Sequence, residues 1–141
     1  MTIYGIGIDI ANINRIKKSI KNKNFIKRIF NSNETKKCNN NINKSHCFAK
    51  RFAAKEAFAK ALGTGISKGI NFNEIIVHNI KSGKPSIKLI GNTKKMVIKI
   101  IKKSKFNIYL SLTDDKPFAV ATVIISLWIK KFFPKDNFSN S

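Results

Sequence analysis

The feature that most constrains this chain is the segment "RFAAKEAFAKALGTG", residues 51–65, which is apolar on nearly every side of a helix. Ala, Phe and Leu fill most of its positions, and a helix with that composition is usually buried. Ser45 can cap the start of this helix, and Gly63 or Gly65 can end it. We therefore predict one long buried helix around which the other elements pack.

Two charged stripes interrupt this apolar helix. Glu56 and Lys60 lie one turn apart on one stripe, and Arg51 and Lys55 form a second stripe on another side. A buried carboxylate needs a cation or hydrogen-bond donors, because an uncompensated one destabilises the fold. On the helix alone, an ion pair between Glu56 and Lys60 explains the two charges as well as a functional site does.

The N-terminal segment "TIYGIGIDI" alternates like a strand that has one crowded face and one open face. Gly5 and Gly7 leave the open face free for close backbone approach, and Asp9 projects at its end. If this strand packs on the long helix, Asp9 and Glu56 can meet, and the two carboxylates repel unless a cation lies between them. A few oxygen ligands suit Mg²⁺, which keeps waters and binds substrate phosphate. Lys60 would then face the same phosphates.

The remaining segments predict an α+β domain with a mainly antiparallel sheet packed on the long buried helix. Asn12 can cap a short helix, "FIKRIF" continues as another, and "NSNETKKCNNNINKS" is expected to be loop with about one helical turn. Two pairs of strands flank turn signals, and a helix is expected over residues 93–104. The strand pairs are "EIIVHNI" with "SIKLI", and "FNIYLSLT" with "FAVATVIISLWI".

Composition limits the function classes. The net charge is +21, but the excess is nearly all lysine, scattered along the chain and accompanied by heavy use of Asn and Ile. A small basic RNA-binding protein is therefore an alternative that rests on charge alone. No signal peptide is expected, because the N-terminal "MTIYGIGIDI" has no basic segment before its apolar run. No membrane span is expected, because the longest apolar run is too short. Cys38 and Cys47, even with His46, make a poor zinc set, so reduced cysteines in the cytoplasm are the default.

Arginine is rare in this lysine-rich chain and occurs at three positions, Arg15, Arg28 and Arg51. A guanidinium offers a planar, bidentate fork for a carboxylate or a phosphate that an ammonium group cannot copy. The three arginines are therefore candidates for binding an acidic partner.

Five segments together resemble, in order, the signatures of the holo-[acyl-carrier-protein] synthase family of 4′-phosphopantetheinyl transferases. The resemblance covers residues 2–126, and its strand-Asp signature and Lys-Glu helix are specific in combination. It implies a phosphopantetheinyl transferase-like fold over residues 1–126, with 127–141 as a partly disordered C-terminal extension. The matching segments are "GIGIDIANINRI", "FIKRIF", "RFAAKEAFAKALGTGI", "SGKPSIKL" and "SLTDDKPFAVATVII".

The resemblance implies that this enzyme transfers phosphopantetheine from coenzyme A to a serine of acyl carrier protein, for fatty acid biosynthesis. Asp9 and Glu56 match the Mg²⁺ ligands and Lys60 matches the lysine beside the pyrophosphate, so these three are the catalytic set. The family is a homotrimer with its sites between subunits. The other matched positions are the coenzyme A-binding Arg51, Gly63, Thr64, Gly65, Pro85 and Ser111 and the carrier-docking Arg15, Phe25 and Arg28.

Two points of the mechanism stay open at this level. The base that accepts the serine proton is either Glu56 or a metal-bound water oriented by Asp9. Asp114 stands where many relatives have His, and a carboxylate cannot attract a phosphate as a protonated His does. A relative that has lost catalysis and only binds is disfavoured, because Asp9, Glu56 and Lys60 are all present.

Overall fold

Helix α4, Lys44–Leu62, lies at the centre of the fold in the computed structural model, which describes residues 1–65 and 69–128. Twelve of its 19 residues are buried, as the prediction of a long buried helix requires. The helix begins at Lys44 after its cap residue Asn43, two residues earlier than a Ser45 cap would place it, and ends at Gly63 in a left-handed conformation. The α+β prediction is confirmed.

Three antiparallel strands pack on α4 in the order β1–β5–β4, which are Thr2–Asn12, Phe118–Leu127 and Phe106–Asp115. Small residues let β1 approach the helix closely. A Cβ at Gly5 would collide with the carbonyl oxygen of Ala61, and one at Gly7 would collide with that of Ala57. The close approach predicted from these glycines is confirmed, and it determines which part of α4 faces Asp9.

The other face of this sheet is exposed and largely apolar in the single chain. Ile6, Ile8 and Ile10 of β1 are each 60% exposed, and Tyr109 and Phe118 are also exposed large hydrophobic residues. Burial of such a surface is favourable. This sheet face is therefore a candidate interface.

A second, two-stranded sheet pairs β2, Ile75–Asn79, with β3, Pro85–Leu89, as the hairpin signal predicts. A 3₁₀ turn, Phe72–Glu74, precedes β2. Helix α5, Gly91–Ile101, follows β3 and starts two residues earlier than expected. The two short helices near the N-terminus are α1, Ile13–Ser19, and α2, Lys23–Ile29.

The low-complexity segment that was expected to be loop contains helix α3, Ser32–Asn39, so that prediction is wrong. The helix starts with a capping box, in which the Asn31 side chain accepts from the Asn33 N–H and the Glu34 carboxylate accepts from the Asn31 N–H at 3.0 Å. Glu34 is buried and forms an ion pair with Lys55 of α4, with Nζ at 2.7 Å from Oε1. A long-range ion pair therefore stabilises α3, and local composition could not indicate it.

Contrary to the expectation of reduced cysteines, Cys38 of α3 and Cys47 of α4 form a disulfide.

Residues 129–141 lie outside the described part of the chain, and β5 runs to Leu127. The prediction of a partly disordered extension over 127–141 therefore stays a prediction.

Candidate active site

Three of the predicted site residues converge where β1 crosses the C-terminal half of α4. The Lys60 ammonium donates a hydrogen bond to Asp9 Oδ1 at 3.1 Å and another to the Ile8 carbonyl oxygen at 3.0 Å. The Lys60 side chain is 55% exposed and that of Asp9 is 15% exposed, so the pair lies at the edge of the core. The glycine-lined face of β1 makes this approach possible.

Glu56, by contrast, makes no ion pair or hydrogen bond within residues 1–65 and 69–128. Partial burial raises the pKa of Glu56, the negative charge of Asp9 raises it further, and Lys60 opposes the rise. The ion pair between Glu56 and Lys60 that the helix alone allowed is not present. Lys60 forms its ion pair with Asp9 instead, and Glu56 has no ion-pair partner among the described residues.

The donor set around this carboxylate suits a hard divalent cation. Two neighbouring carboxylates raise each other's pKa when no cation separates them, and that effect is visible at Glu56. In the described part of the chain no group of three or more His, Cys, Asp or Glu side chains is arranged for a metal. Two protein oxygens with open positions fit Mg²⁺, which keeps waters and takes ligands from phosphate. The same set does not fit structural zinc.

Two glycines in the loop after α4 have positive φ. Gly63 has φ +85° and Gly65 has φ +63°, so any side chain there would be strained. A Cβ at either glycine would meet nothing within 4 Å. Open space beside an uncrowded backbone allows a ligand to approach, and Thr64 lies between the two glycines. Lys60, one turn earlier, borders the same loop.

A cavity of about 740 Å³ joins Glu56 to the predicted docking residues Phe25 and Arg28. Its wall is aromatic: the rings of Phe25 and Phe52 are 6.1 Å apart, and those of Phe52 and Phe72 are 6.4 Å apart. Phe52 and Phe72 were not predicted from the sequence, because neither belongs to a polar pattern. A larger groove of about 1130 Å³ lies on the other side of α2 and does not reach Glu56.

Arg15 lies outside this cavity, exposed on α1, where its backbone N–H donates to the Asn12 side chain at 3.1 Å. The structure therefore brings Phe25 and Arg28 to Glu56, and it leaves Arg15 on an adjacent surface.

Three of the predicted coenzyme A-binding residues are placed apart from the Asp9–Lys60 pair in the single chain. Pro85 begins β3 in the smaller sheet. Ser111 of β4 and Ile8 of β1 both pair with Thr122 of β5, and directly paired residues lie on the same face of a sheet. Ser111 therefore lies on the exposed apolar face with Ile8. Arg51 is buried, and its Nη1 donates to the Cys47 carbonyl oxygen at 3.4 Å and to Cys47 Sγ at 3.1 Å.

Asp114 contacts two residues of α4, His46 and Lys50, which were not predicted as its partners. The His46 Nδ1–H donates to Asp114 Oδ2 at 2.6 Å, and the Lys50 ammonium lies 3.5 Å from Oδ1. The hydrogen bond from His46, aided by Lys50, holds the pKa of Asp114 below its usual range. The negative charge of Asp114 is therefore compensated within the chain.

Comparisons with known proteins identify the family and the fold of this chain. Residues 5–123 match the model of the 4′-phosphopantetheinyl transferase superfamily. The holo-[acyl-carrier-protein] synthase of Pelagibacter ubique is 50% identical over 125 residues, which are 89% of this chain and 98% of the relative.

Two solved structures share the fold. The holo-[acyl-carrier-protein] synthase of Neisseria meningitidis superposes with a TM-score of 0.80 at 34% identity, over 89% of this chain and 100% of that chain. The Helicobacter pylori enzyme in complex with coenzyme A superposes with a TM-score of 0.73 at 33% identity, over 86% and 99%.

Proposed function

This chain belongs to the 4′-phosphopantetheinyl transferase superfamily, and we propose that it transfers 4′-phosphopantetheine from coenzyme A to a serine of apo-acyl carrier protein. The products are holo-acyl carrier protein, for fatty acid biosynthesis, and adenosine 3′,5′-bisphosphate. The observation that carries the proposal is the cluster of Asp9, Lys60 and an unpaired Glu56 at a cavity that also holds Phe25 and Arg28.

The reaction breaks one phosphoanhydride bond and forms one phosphate ester. The carrier serine oxygen attacks the β-phosphorus of coenzyme A, and adenosine 3′,5′-bisphosphate leaves with the bonding electron pair. The serine proton passes either to Glu56 or to a water held by Asp9. Such transfers depend mainly on positioning and on neutralising charge.

Asp9 and Glu56 would hold Mg²⁺ in this proposal. When bound there, the ion would neutralise the pyrophosphate oxygens. Asp9 is aligned by its hydrogen bond from Lys60, and Glu56 offers a carboxylate that forms no ion pair with another described residue.

Lys60 supplies the second positive charge. Its ammonium group is half exposed beside the Gly63–Gly65 loop, so it can turn from Asp9 to a phosphate without leaving the site. Charge grows on the leaving oxygen as the anhydride bond breaks, and a cation placed there stabilises the transition state more than the ground state.

The carrier protein would dock on α1 and α2, where Arg15 and Arg28 present exposed guanidinium groups. Acyl carrier proteins are acidic, and this chain has a net charge of +21, so their encounter is favoured electrostatically. Arg28 shares the cavity of Glu56, so a carrier bound there can present its serine to the site.

We further propose a homotrimer that buries the apolar face of the three-stranded sheet. Two of the predicted coenzyme A-binding residues lie away from Asp9 in the single chain. Ser111 lies on the apolar sheet face with Ile8, and Pro85 begins β3 of the smaller sheet. Assembly would let coenzyme A contact residues of two chains.

No helix of the described residues is long and apolar enough to cross a membrane. We propose that the enzyme works in the cytoplasm, beside its coenzyme A substrate.

The test is incubation of the protein with apo-acyl carrier protein, coenzyme A and Mg²⁺, followed by mass measurement of the carrier. Addition of one phosphopantetheine group is the expected result, with the Glu56→Gln variant as the inactive control. Stable binding of RNA without any modification of the carrier would contradict the proposal and favour the alternative.

A further inference from the structure

We propose that Cys38 and Cys47 form a reversible redox site, at which hydroperoxides oxidise Cys47 and Cys38 then closes the disulfide. The proposal rests on the contacts between α3 and the second charged stripe of α4.

The two cysteines lie at one end of a buried row of side chains. On α4, Cys47, Arg51 and Lys55 follow one another at intervals of four and therefore share one face of the helix. On α3, Cys38 and Glu34 face them: the disulfide joins Cys38 to Cys47, and the ion pair joins Glu34 to Lys55. Arg51 lies between these two links.

Arg51 is an under-compensated buried cation. It is only 6% exposed. Among residues 1–65 and 69–128, its Nε has no hydrogen-bond partner and Nη1 donates only to Cys47, through the carbonyl oxygen and Sγ. Burial lowers the pKa of Arg51, and the charge of Glu34 opposes that shift. A buried guanidinium favours an anion beside it. In the reduced protein, the Cys47 thiolate would be that anion.

An arginine beside a cysteine stabilises the thiolate, which is the reactive form. Arg51 contacts Cys47 and not Cys38, so the two sulfurs have different roles. Both cysteines are buried, and Cys47, at 4% exposure, is less completely buried than Cys38, at 0%. Cys47 is therefore the sulfur that reacts first, and Cys38 is the sulfur that resolves the product.

The chemistry balances with hydrogen peroxide as the oxidant. The Cys47 thiolate attacks one peroxide oxygen, the O–O bond breaks, and after one proton is taken up the products are a sulfenic acid and water. The Cys38 thiol then attacks the Cys47 sulfur, the S–O bond breaks, and a second water leaves as the S–S bond forms. A thiol reductant restores both cysteines: one reductant thiolate attacks the disulfide and forms a mixed disulfide, and a second reductant thiol releases the protein cysteine as the reductant itself becomes a disulfide. A disulfide in a cytoplasmic protein is usually of this transient or sensing kind.

A consequence for the enzyme follows, and it rests on the proposed function. Arg51 is one of the residues that the resemblance assigns to coenzyme A. A guanidinium paired with a thiolate attracts phosphate less than one beside a neutral disulfide. We therefore expect the reduced enzyme to bind coenzyme A several-fold more weakly than the oxidised enzyme.

The first experiment follows the chemistry in the full-length protein. After complete reduction and removal of reductant, hydrogen peroxide should remove both free thiols and lower the intact mass by two hydrogens. Cys38→Ser should instead accumulate a sulfenic acid at Cys47 that dimedone traps, and Cys47→Ser should react far more slowly. Equal reaction of the two single variants, or separate oxidation of the two cysteines in wild type, would overturn the assignment.

The second experiment measures KM for coenzyme A in the reduced and oxidised enzyme. KM should rise several-fold on reduction, and the Cys38→Ser/Cys47→Ser double variant should not respond to reductant. An unchanged KM would overturn the link to Arg51. Absence of transfer in every state would instead count against the proposed function, because the mass measurement decides the redox site independently of catalysis.

Discussion

At the scale of single residues, the partner of Lys60 explains why the two carboxylates of the site are not equivalent. Gly5 and Gly7 bring β1 against Ala61 and Ala57, and this places Asp9 within reach of the Lys60 ammonium. Asp9 therefore has a cation in the free protein, whereas Glu56 has a raised pKa and no such partner. A bound divalent cation would stabilise Glu56 more than Asp9.

Glu56→Gln should lower kcat by about 100-fold or more, because even outer-shell changes at metal sites cost 10–100-fold in affinity or activity. The protein should stay folded, since Glu56 makes no ion pair in the described residues. The measurement is turnover across a Mg²⁺ titration, with Asp115→Asn as an exposed acidic control. Wild-type turnover in Glu56→Gln at all Mg²⁺ concentrations would contradict a metal role.

Lys60→Ala should lower kcat by about 10- to 100-fold and change KM for coenzyme A much less, because its charge matters most in the transition state. Steady-state kinetics with saturating carrier protein checks this split, and Lys95→Ala on α5 serves as the matched lysine control. A raised KM with unchanged kcat would mean that Lys60 only binds substrate.

At the scale of elements, α3 and α4 are joined by buried polar contacts as well as by apolar packing. The Lys55 ammonium donates to Glu34, to the Phe72 carbonyl oxygen at 2.9 Å and to the Ile75 carbonyl oxygen. The Glu34 carboxylate also accepts from the Val77 backbone N–H at 3.1 Å. This pair therefore links α3, α4, the 3₁₀ turn and β2, and the 3₁₀ turn forms part of the Glu56 cavity wall.

The Lys55 ammonium should make stability depend on alkaline pH. Burial lowers the pKa of Lys55 to about 8 in the folded protein, from 10.5, despite the opposing charge of Glu34. Between those values the unfolded chain binds more protons than the folded one, so the free energy of unfolding should rise with pH in this window. Lys55 adds nothing to the free energy of unfolding below about pH 8, where it is protonated in both states. Relative to that acidic side, the gain above pH 10.5 is of the order of 3 kcal/mol.

Urea unfolding of wild type and of Glu34→Gln/Lys55→Met at several pH values checks this contribution. The wild-type free energy of unfolding should rise more steeply between pH 8 and 10.5 than that of the double variant, which removes both charges together. Parallel curves would show that Lys55 keeps its proton throughout the window.

Two basic surfaces are candidates for docking the carrier protein: one formed by α1 and α2, and one formed by α5. Arg15→Lys and Arg28→Lys on α1 and α2 should each raise KM for the carrier about 3- to 10-fold, because a lysine keeps the charge but loses the bidentate fork. Lys95→Gln/Lys99→Gln on α5 should do much less. Carrier titrations at saturating coenzyme A make the comparison. A larger loss in the α5 variant would place docking on that helix.

At the scale of the whole molecule, one face of the three-stranded sheet is covered and the other is not. α4 covers the face that carries Ala119, Ala121 and Val123, while Ile6, Ile8 and Ile10 of the opposite face remain exposed. Burial of one such side chain contributes about 1.5–3 kcal/mol. Assembly through this face would stabilise the protein and bring Ser111 into an interface.

Ile8→Glu should convert the trimer to monomers and abolish transfer, because it places a charge at the centre of the proposed interface. Ile42→Glu is the matched control, since Ile42 is fully exposed and lies away from the sheet. Analytical ultracentrifugation with activity assays makes the test. A wild type that is monomeric and active would contradict the trimer, and so would an unaltered assembly in Ile8→Glu.

Local sequence determined the elements that have a strong period and clear ends. The apolar helix before Gly63, the glycine-lined strand and the hairpin around "KSGKP" formed as predicted, because spacing and turn chemistry act within about ten residues. The same patterns, read with the resemblance, named Asp9, Glu56 and Lys60 as one site. Their convergence follows because Gly5 and Gly7 let the backbone of α4 pack closely against β1.

Only the tertiary structure decided which partners the charged and sulfur-containing residues have. Lys60 binds Asp9 and not Glu56, Glu34 binds Lys55, His46 binds Asp114, and Cys38 bonds to Cys47. Three of these pairs join residues at least 21 positions apart, and the disulfide depends on how α3 folds back on α4. Such choices depend on which side chains the folded chain brings within a few ångströms of each other, and no periodic pattern encodes those distances.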